Sequence, residues 1–246
     1  MSGHSQFKNI MYRKGAQDAK RAKIFSKISR EITVAVKEGG ADPESNTRLR
    51  SALLSARAEN MPKDNIERAI KKASGSSDDA NYQSVRYEGY GPGGVAIIVE
   101  GLTDNKNRTA PAVRSAFTKF GGSLGETNSV SFQFKHTGLI VYPRNVAPIE
   151  KFFEAILVAG ADDLFGYETT YEVTCAIEDL NNIRERLTEK YGDPLEAQVT
   201  WLPINTVEID ANTARSLFKL IDVLEDDDDV QRVIANYKLP PDFSLD

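Results

Sequence analysis

Between Lys8 and Arg30 the chain places eight cations, Lys8, Arg13, Lys14, Lys20, Arg21, Lys23, Lys27 and Arg30, against one acid, Asp18. Cations at this density, with a single acid among them, suit the neutralisation of phosphates. Such contacts gain from counterion release and weaken steeply with salt. They position a protein without reading sequence. Phe7 and Tyr12 lie among Lys8, Arg13 and Lys14. They could stack on unpaired bases, or equally anchor this stretch on a folded domain. The candidate nucleic-acid-binding residues are therefore Lys8, Arg13, Lys14, Lys20, Lys23, Lys27 and Arg30, with Phe7 and Tyr12 as candidate stacking residues.

Other constellations point to no enzyme, cofactor or metal. The two histidines, His4 and His136, fall in an N-terminal arm and at a strand connection. Cys175, the only cysteine, sits on an amphipathic strand and reads as a buried inert thiol. No HExxH pattern is present, and no Cys/His spacing suits zinc. The loop GYGPGG (89–94) lacks the Lys-Ser/Thr of a phosphate loop and is followed by a strand, so it reads as a hairpin turn. The five acids Glu225–Asp229 are contiguous and point in different directions, so they read as solvated charge rather than a cation site. They could also cover a basic surface in the free protein.

The charge is segregated. The whole chain of 246 residues carries −5, yet residues 1–77 hold 16 Lys and Arg against 8 Asp and Glu, or +8; the remainder holds 15 against 28, or −13. A fold needs no such division, which instead describes a basic front for a polyanion on an acidic body. No apolar run reaches the roughly 20 residues of a membrane span, and no apolar leader opens the chain. One cysteine permits no disulfide framework. The expected setting is cytoplasmic, with no membrane and no small-molecule substrate evident.

The elements that must hold the cations follow from periodicity. Residues 1–15 read as an irregular arm. From Ala16 a helix is expected, with Ile24, Phe25, Ile28, Ile32, Ala35 and Val36 on a packing arc. Lys20, Lys23, Lys27, Arg30 and Lys37 fall on a second arc roughly 100° wide, and Gly39-Gly40 ends the helix. Arg21 lies near the apolar arc. Asn46 or Thr47 caps a second helix with Leu49, Ala52, Leu53 and Ala56 inward, and Pro62 opens a third at its first helical position. The polar stretch 74–81 reads as a linker. Strands are then expected at Val85–Glu88, Val95–Glu100, Val130–Phe134 (Phe132 and Phe134 on one face), Gly138–Tyr142, Asp163–Gly166, Thr170–Ala176, Leu195–Trp201, Val207–Asp210 and Val230–Tyr237, with helices at Asn107–Phe120, Pro148–Ala159, Glu178–Tyr191 and Asn212–Leu224. Residues 138–203 make one complete split βαβ unit, and the β-α-β halves on either side can join into a second; a single larger mixed sheet is the alternative. The expected fold class is multidomain α and α+β: a three-helix domain, then two ferredoxin-like α+β domains, one inserted in the other. The expected boundaries are 1–78, then 79–135 with 205–246, and 136–204 as the insert.

The GHS arm, the D-A-K-R-x-K-I-F helix, the N-M-P-K-D-N-I-E-R-A-I helix and the Y-E-G-Y-G-P-G-G loop together resemble the YebC/PmpR family, over the full length. The resemblance implies a three-domain fold in which one α+β domain interrupts another. It implies a probable transcriptional regulator, since some members bind promoter DNA. It also implies a link to translation, through mitochondrial activators and bacterial members associated with the ribosome and the relief of stalling. Gln6 and Phe7 stand where a Lys-Trp pair is common in the family. The expected function is nucleic-acid-binding regulation: a DNA-binding transcriptional regulator, alternatively a translation factor bound to rRNA or the ribosome. A module that docks an acidic protein is a third reading.

Overall fold

The computed structural model describes residues 17–75, 81–241 and Phe243, with only the backbone described for 17–20. Three helices come first: α1 (Gln17–Gly39), α2 (Thr47–Ala58) and α3 (Lys63–Ser74). Gly40 takes a φ of 85°, the left-handed turn that lets α1 stop. Asn46, not Thr47, caps α2: its Oδ1 accepts from Leu49 N at 3.0 Å. Its Nδ2 donates to Ala35 O and Gly40 O, both at 2.7 Å. One buried amide thus closes the start of one helix onto the end of another. Pro62 takes the cap position of α3 rather than its first turn. The helices share a core of Ile28, Ile32, Ala35 and Val36 from α1, Leu49, Ala52 and Ala56 from α2, and Met61, Ala69 and Ala73.

The remainder is α+β. β1 (Gln83–Tyr90) and β2 (Ala96–Thr103) form an antiparallel hairpin through the glycine loop, where Gly93 and Gly94 adopt φ of 72° and 74°. α4 (Lys106–Lys119), capped by Asn105, leads to β3 (Ser123–Leu124). Next come β4 (Phe134–Pro143), α5 (Ile149–Ala159), β5 (Asp163–Gly166), β6 (Thr170–Cys175), α6 (Leu180–Tyr191) and β7 (Glu196–Pro203). β8 (Val207–Glu208), α7 (Ala211–Asp226), β9 (Val230–Ala235) and β10 (Tyr237–Lys238) complete the chain. Two four-stranded sheets result, ordered β3-β1-β2-β9 and β5-β6-β4-β7, with a small β8–β10 pair. The second sheet is contiguous in sequence and lies between the strands of the first, so the reading as one mixed sheet is excluded.

Three expected strands differ: Val230–Tyr237 divides at Asn236 into β9 and β10, which join different sheets. Val130–Phe134 is instead a single 3₁₀ turn (Ser131–Gln133) leading into β4. The buried Glu88 carboxylate accepts from Val130 N and Ser131 N at 3.0 and 2.9 Å, which takes those groups out of any ladder. Phe134 turns inward while Phe132 is 70% exposed. Val207–Asp210 shortens to two residues paired in parallel with β10, outside the four-stranded sheets.

The chain clusters into two compact units. One holds the described residues of Asp79–Lys135 and Leu202–Asp246, with α1 as far as Lys23. The other holds those of Ile24–Asp78 and His136–Trp201. Inside this second unit Leu54 leaves the helical core and packs with Ile140, Tyr142 and Ile183. Arg50 pairs with Glu185 at 2.7 Å and Arg57 with Asp193 at 3.0 Å. The helical region is thereby fastened to α6 and the turn after it.

Candidate nucleic-acid interface

The start of α1 carries the described part of the predicted site. Phe7, Lys8, Tyr12, Arg13 and Lys14 lie outside the described residues, and for Lys20 only the helical backbone is described. Lys23, Lys27 and Arg30 share one arc of α1, as their spacing predicts. All three are half-buried rather than fully exposed. The same arc runs on into Val34, which is buried. Ile32, Thr33, Val34, Ala35 and Val36 cover every direction around the helix, and all five are buried. The clean division into a packing face and a cationic face therefore holds only up to Arg30. Arg21, expected near the apolar arc, is exposed.

Lys23 has a definite partner. Its Nζ lies 2.6 Å from Asp226 Oδ1 and donates to the Asp226 carbonyl at 3.3 Å. The acidic run at the end of α7 thus reaches one of the cations proposed for phosphate. The run is not uniformly solvated either. Asp229 is 2% exposed. Its Oδ2 receives the Thr103 hydroxyl at 3.0 Å, the Thr109 hydroxyl at 2.6 Å and Arg108 Nη2 at 2.6 Å. The last acid of the run is a structural anchor, which contiguity in sequence concealed.

Much of the basic excess of the helical region is spent internally. Arg48 forms ion pairs at 2.7 Å with Glu31 and Glu38. Burial works to lower its pKa, but these two carboxylates outweigh burial and raise it above the ordinary arginine value. With Arg50 and Arg57 also paired, the polar side of α2 is occupied by protein. The sequence reading missed a second exposed strip on α3, Arg68, Lys71 and Lys72. Its signal was present: three cations at i, i+3 and i+4 share one helix face.

His136 is exposed, as expected, but lies within β4 rather than at a connection, its ring stacked on Trp201 at 4.2 Å. Cys175 is fully buried. Among the described residues no group of three or more His, Cys, Asp or Glu could hold a metal, and no helix is long and apolar enough to cross a membrane.

A family model described as the TACO1/YebC protein N-terminal domain matches residues 5–76, and one described as TACO1/YebC second and third domain matches residues 82–237. Two probable transcriptional regulatory proteins, from two strains of Rickettsia bellii, are each 54% identical over 240 residues, covering 97% of this chain and 94% and 95% of theirs. The crystal structure of a conserved hypothetical protein from Aquifex aeolicus aligns with a TM-score of 0.85 at 43% identity, covering 96% of this chain and 98% of that one.

Proposed function

Because the chain belongs to the TACO1/YebC family, a non-enzymatic family of probable transcriptional regulators, we propose that it is a nucleic-acid-binding regulator of the cytoplasm and that its polyanion is DNA. The carrying observation is the concentration of cations from Lys8 to Arg30 on an otherwise acidic protein. Lys8, Arg13, Lys14, Lys20, Lys23, Lys27 and Arg30 hold phosphates, with Phe7 and Tyr12 stacking on bases. Arg68, Lys71 and Lys72 extend that surface. The domains are 1–78, 79–135 with 205–246, and an inserted 136–204, and both α+β domains are ferredoxin-like. The insertion is supported by β9 completing the first sheet after the second has been made. The strand order of the second sheet suits a split βαβ unit.

One observation favours a second reading, in which the same cations grip structured RNA on the ribosome and the protein acts in translation. A helix-turn-helix reads bases with a free second helix. Here the arginines of α2 are taken by Glu31, Glu38, Glu185 and Asp193, and Leu54 is buried.

Competition binding over a salt series separates the two, with promoter duplex, non-specific duplex and ribosomes as competitors. A promoter preference of about 10³ or more supports transcriptional control; a preference under about tenfold removes it. Ribosome co-sedimentation that survives moderate salt supports translation. Charge reversal at Lys20, Lys23, Lys27 and Arg30 should abolish binding to any polyanion, and persistence of binding would overturn the site.

A further inference from the structure

Residues 78–246 hold 15 Lys and Arg against 28 Asp and Glu, yet from Asn105 to Gly125 the chain holds Lys106, Arg108, Arg114 and Lys119 and no acid. That stretch is α4 and the turns at its two ends. Val113, Ala116 and Phe117 take one side of α4 into the core. Pro111, Arg114, Ser115, Thr118 and Lys119 lie together on the opposite side, all exposed, and line a depression of about 490 Å³. α7 is built the same way. Leu217, Phe218, Ile221 and Leu224 face the core, while Arg215, Lys219, Asp222 and Asp226 are exposed on the other side.

Topology decides which of these charges meet. β1 is antiparallel to both β2 and β3, and β9 is antiparallel to β2. α4 runs from the end of β2 to the start of β3, and α7 runs into β9, so the two helices are antiparallel. The glycine loop marks one end of the pair: Gly91 lies against Gly122, just past α4, and Gly93 against Thr213 in the first turn of α7. Arg114, Lys119 and Arg215 belong to this end, and Lys219 to the middle of α7. The other end is marked by Arg108, in the first turn of α4, bonded to Asp229 just past α7. Asp222, Glu225 and Asp226 belong there, and Asp226 meets Lys23.

The glycine-loop end therefore gathers four cations. Its one acid on these elements is Asp210, whose carboxylate caps α7 by accepting from Thr213 N at 2.8 Å. Among the described residues Arg114, Lys119 and Lys219 pair with no carboxylate, and Arg215 donates to Asn212 at 3.3 Å. The one large exposed apolar residue of the two helices, Val223, is at the acidic end, so the basic end lacks the apolar anchor on which protein interfaces are built. Cations and hydroxyls without such an anchor fit phosphate oxygens. We propose that the glycine-loop end of α4 and α7 is a second nucleic-acid contact, in which Arg114, Lys119, Arg215 and Lys219 hold backbone phosphates. The contact rests on the reading of the chain as a nucleic-acid binder and adds a surface on elements other than α1.

Fluorescence anisotropy of the full chain with a labelled non-specific DNA duplex and with an RNA duplex, from about 50 to about 200 mM salt, tests this. Arg114→Gln with Lys119→Gln, Arg215→Gln and Lys219→Gln should keep the circular dichroism and melting transition of the wild type. It should flatten the slope of log K against log salt on DNA by about 3.6, at about 0.9 for each lost phosphate contact. The same substitution at four other exposed cations, Lys106, Lys135, Lys151 and Lys190, should leave the slope unchanged. A slope flattened on RNA alone keeps the contact and assigns it to RNA. A slope flattened equally in the control, or unchanged on both duplexes in the α4–α7 variant, overturns the proposal while the binding by Lys8–Arg30 stands. Loss of polyglutamate binding in that variant with the duplex slopes unchanged assigns the face to an acidic protein and likewise overturns it. A wild type that binds neither duplex removes the proposal together with the reading it rests on.

Discussion

The two sheets are held by different means. The contiguous one, β5-β6-β4-β7, closes on an aromatic cluster. Phe152 stacks on Tyr171 at 5.1 Å and meets Tyr142 and Tyr191 edge-on at 5.4 and 5.1 Å. Its ring cluster makes polar contact only at the tips: Tyr142 OH donates to Gly192 O at 2.9 Å and Tyr171 OH to Ala147 O at 3.2 Å, while the buried Thr137 hydroxyl donates to Cys175 O at 2.7 Å. Burial pushes the Tyr142 phenol up to about 12, so it stays a donor across any ordinary pH. The interrupted sheet, β3-β1-β2-β9, also has an apolar core, but buried polar side chains fix its distant segments. Asp229 gathers Thr103, Arg108 and Thr109. Asn236 accepts from Ala96 N at 2.8 Å and donates to Gln133 at 3.1 Å. Glu88 holds the turn at Val130 and Ser131. Apolar contact is non-directional and tolerates sliding, whereas a hydrogen-bonded carboxylate or amide accepts one register. Segments brought together from far apart in the chain gain most from the second kind.

This contrast can be broken by substitution. The largest loss is expected for Phe152→Ala, about 3–5 kcal/mol in urea unfolding, because it opens a cavity under three rings. Asp229→Asn comes next, at about 2–3 kcal/mol although nearly isosteric, since a neutral amide loses the charge that pairs with Arg108 and that strengthens the two hydroxyl bonds to Oδ2. A change under about 0.5 kcal/mol there would remove the distinction between the sheets. Glu88→Gln should cost about 1–2 kcal/mol at neutral pH. Burial alone would raise the pKa of Glu88, but the backbone groups of Val130, Ser131 and Asn128, aided by Arg86, bring it below the ordinary carboxyl value of 4.5. Its stabilisation is therefore complete above that value and is lost as pH falls through the lower, folded one. A pH series of melting temperatures should show wild type and E88Q converging as pH falls below 4.5, and parallel curves would contradict the assignment. The smallest effect is expected for Asp226→Asn, an exposed pair worth under about 0.5 kcal/mol to folding. Freeing Lys23 from that carboxylate should tighten polyanion binding about twofold in a titration at low salt.

Helices were the most legible part of the fold. Their caps at Asn46, Asn105 and Asp210, and the apolar spacing of α7, are local signals. The turn at 131–133 was hidden because alternation at Val130, Phe132 and Phe134 reads as a strand. What bends it is Glu88, some forty residues earlier in the chain. The candidate site shows the same limit. A helical wheel places Lys23, Lys27 and Arg30 together, but it cannot show that Val34 on the same arc is buried. Nor can it show that Asp226, 203 residues away, reaches Lys23. The pairing of the α2 arginines was equally invisible, since Glu185 and Asp193 stand over a hundred residues from their partners.

The placement of β9 beside β2 has a consequence for synthesis. Thr103 emerges 126 residues before Asp229. At about 5–20 residues per second that delay is roughly 6–25 s. All four strands of the contiguous sheet lie within it, so that sheet can close while the other is still half-made. Throughout that interval β2 presents an unpaired edge with Ile97, Ile98 and Val99 beside it, the kind of strand that recruits other chains. A nascent chain arrested before Asp229 should therefore aggregate, whereas one released a few residues past Asn236 carries its own cover.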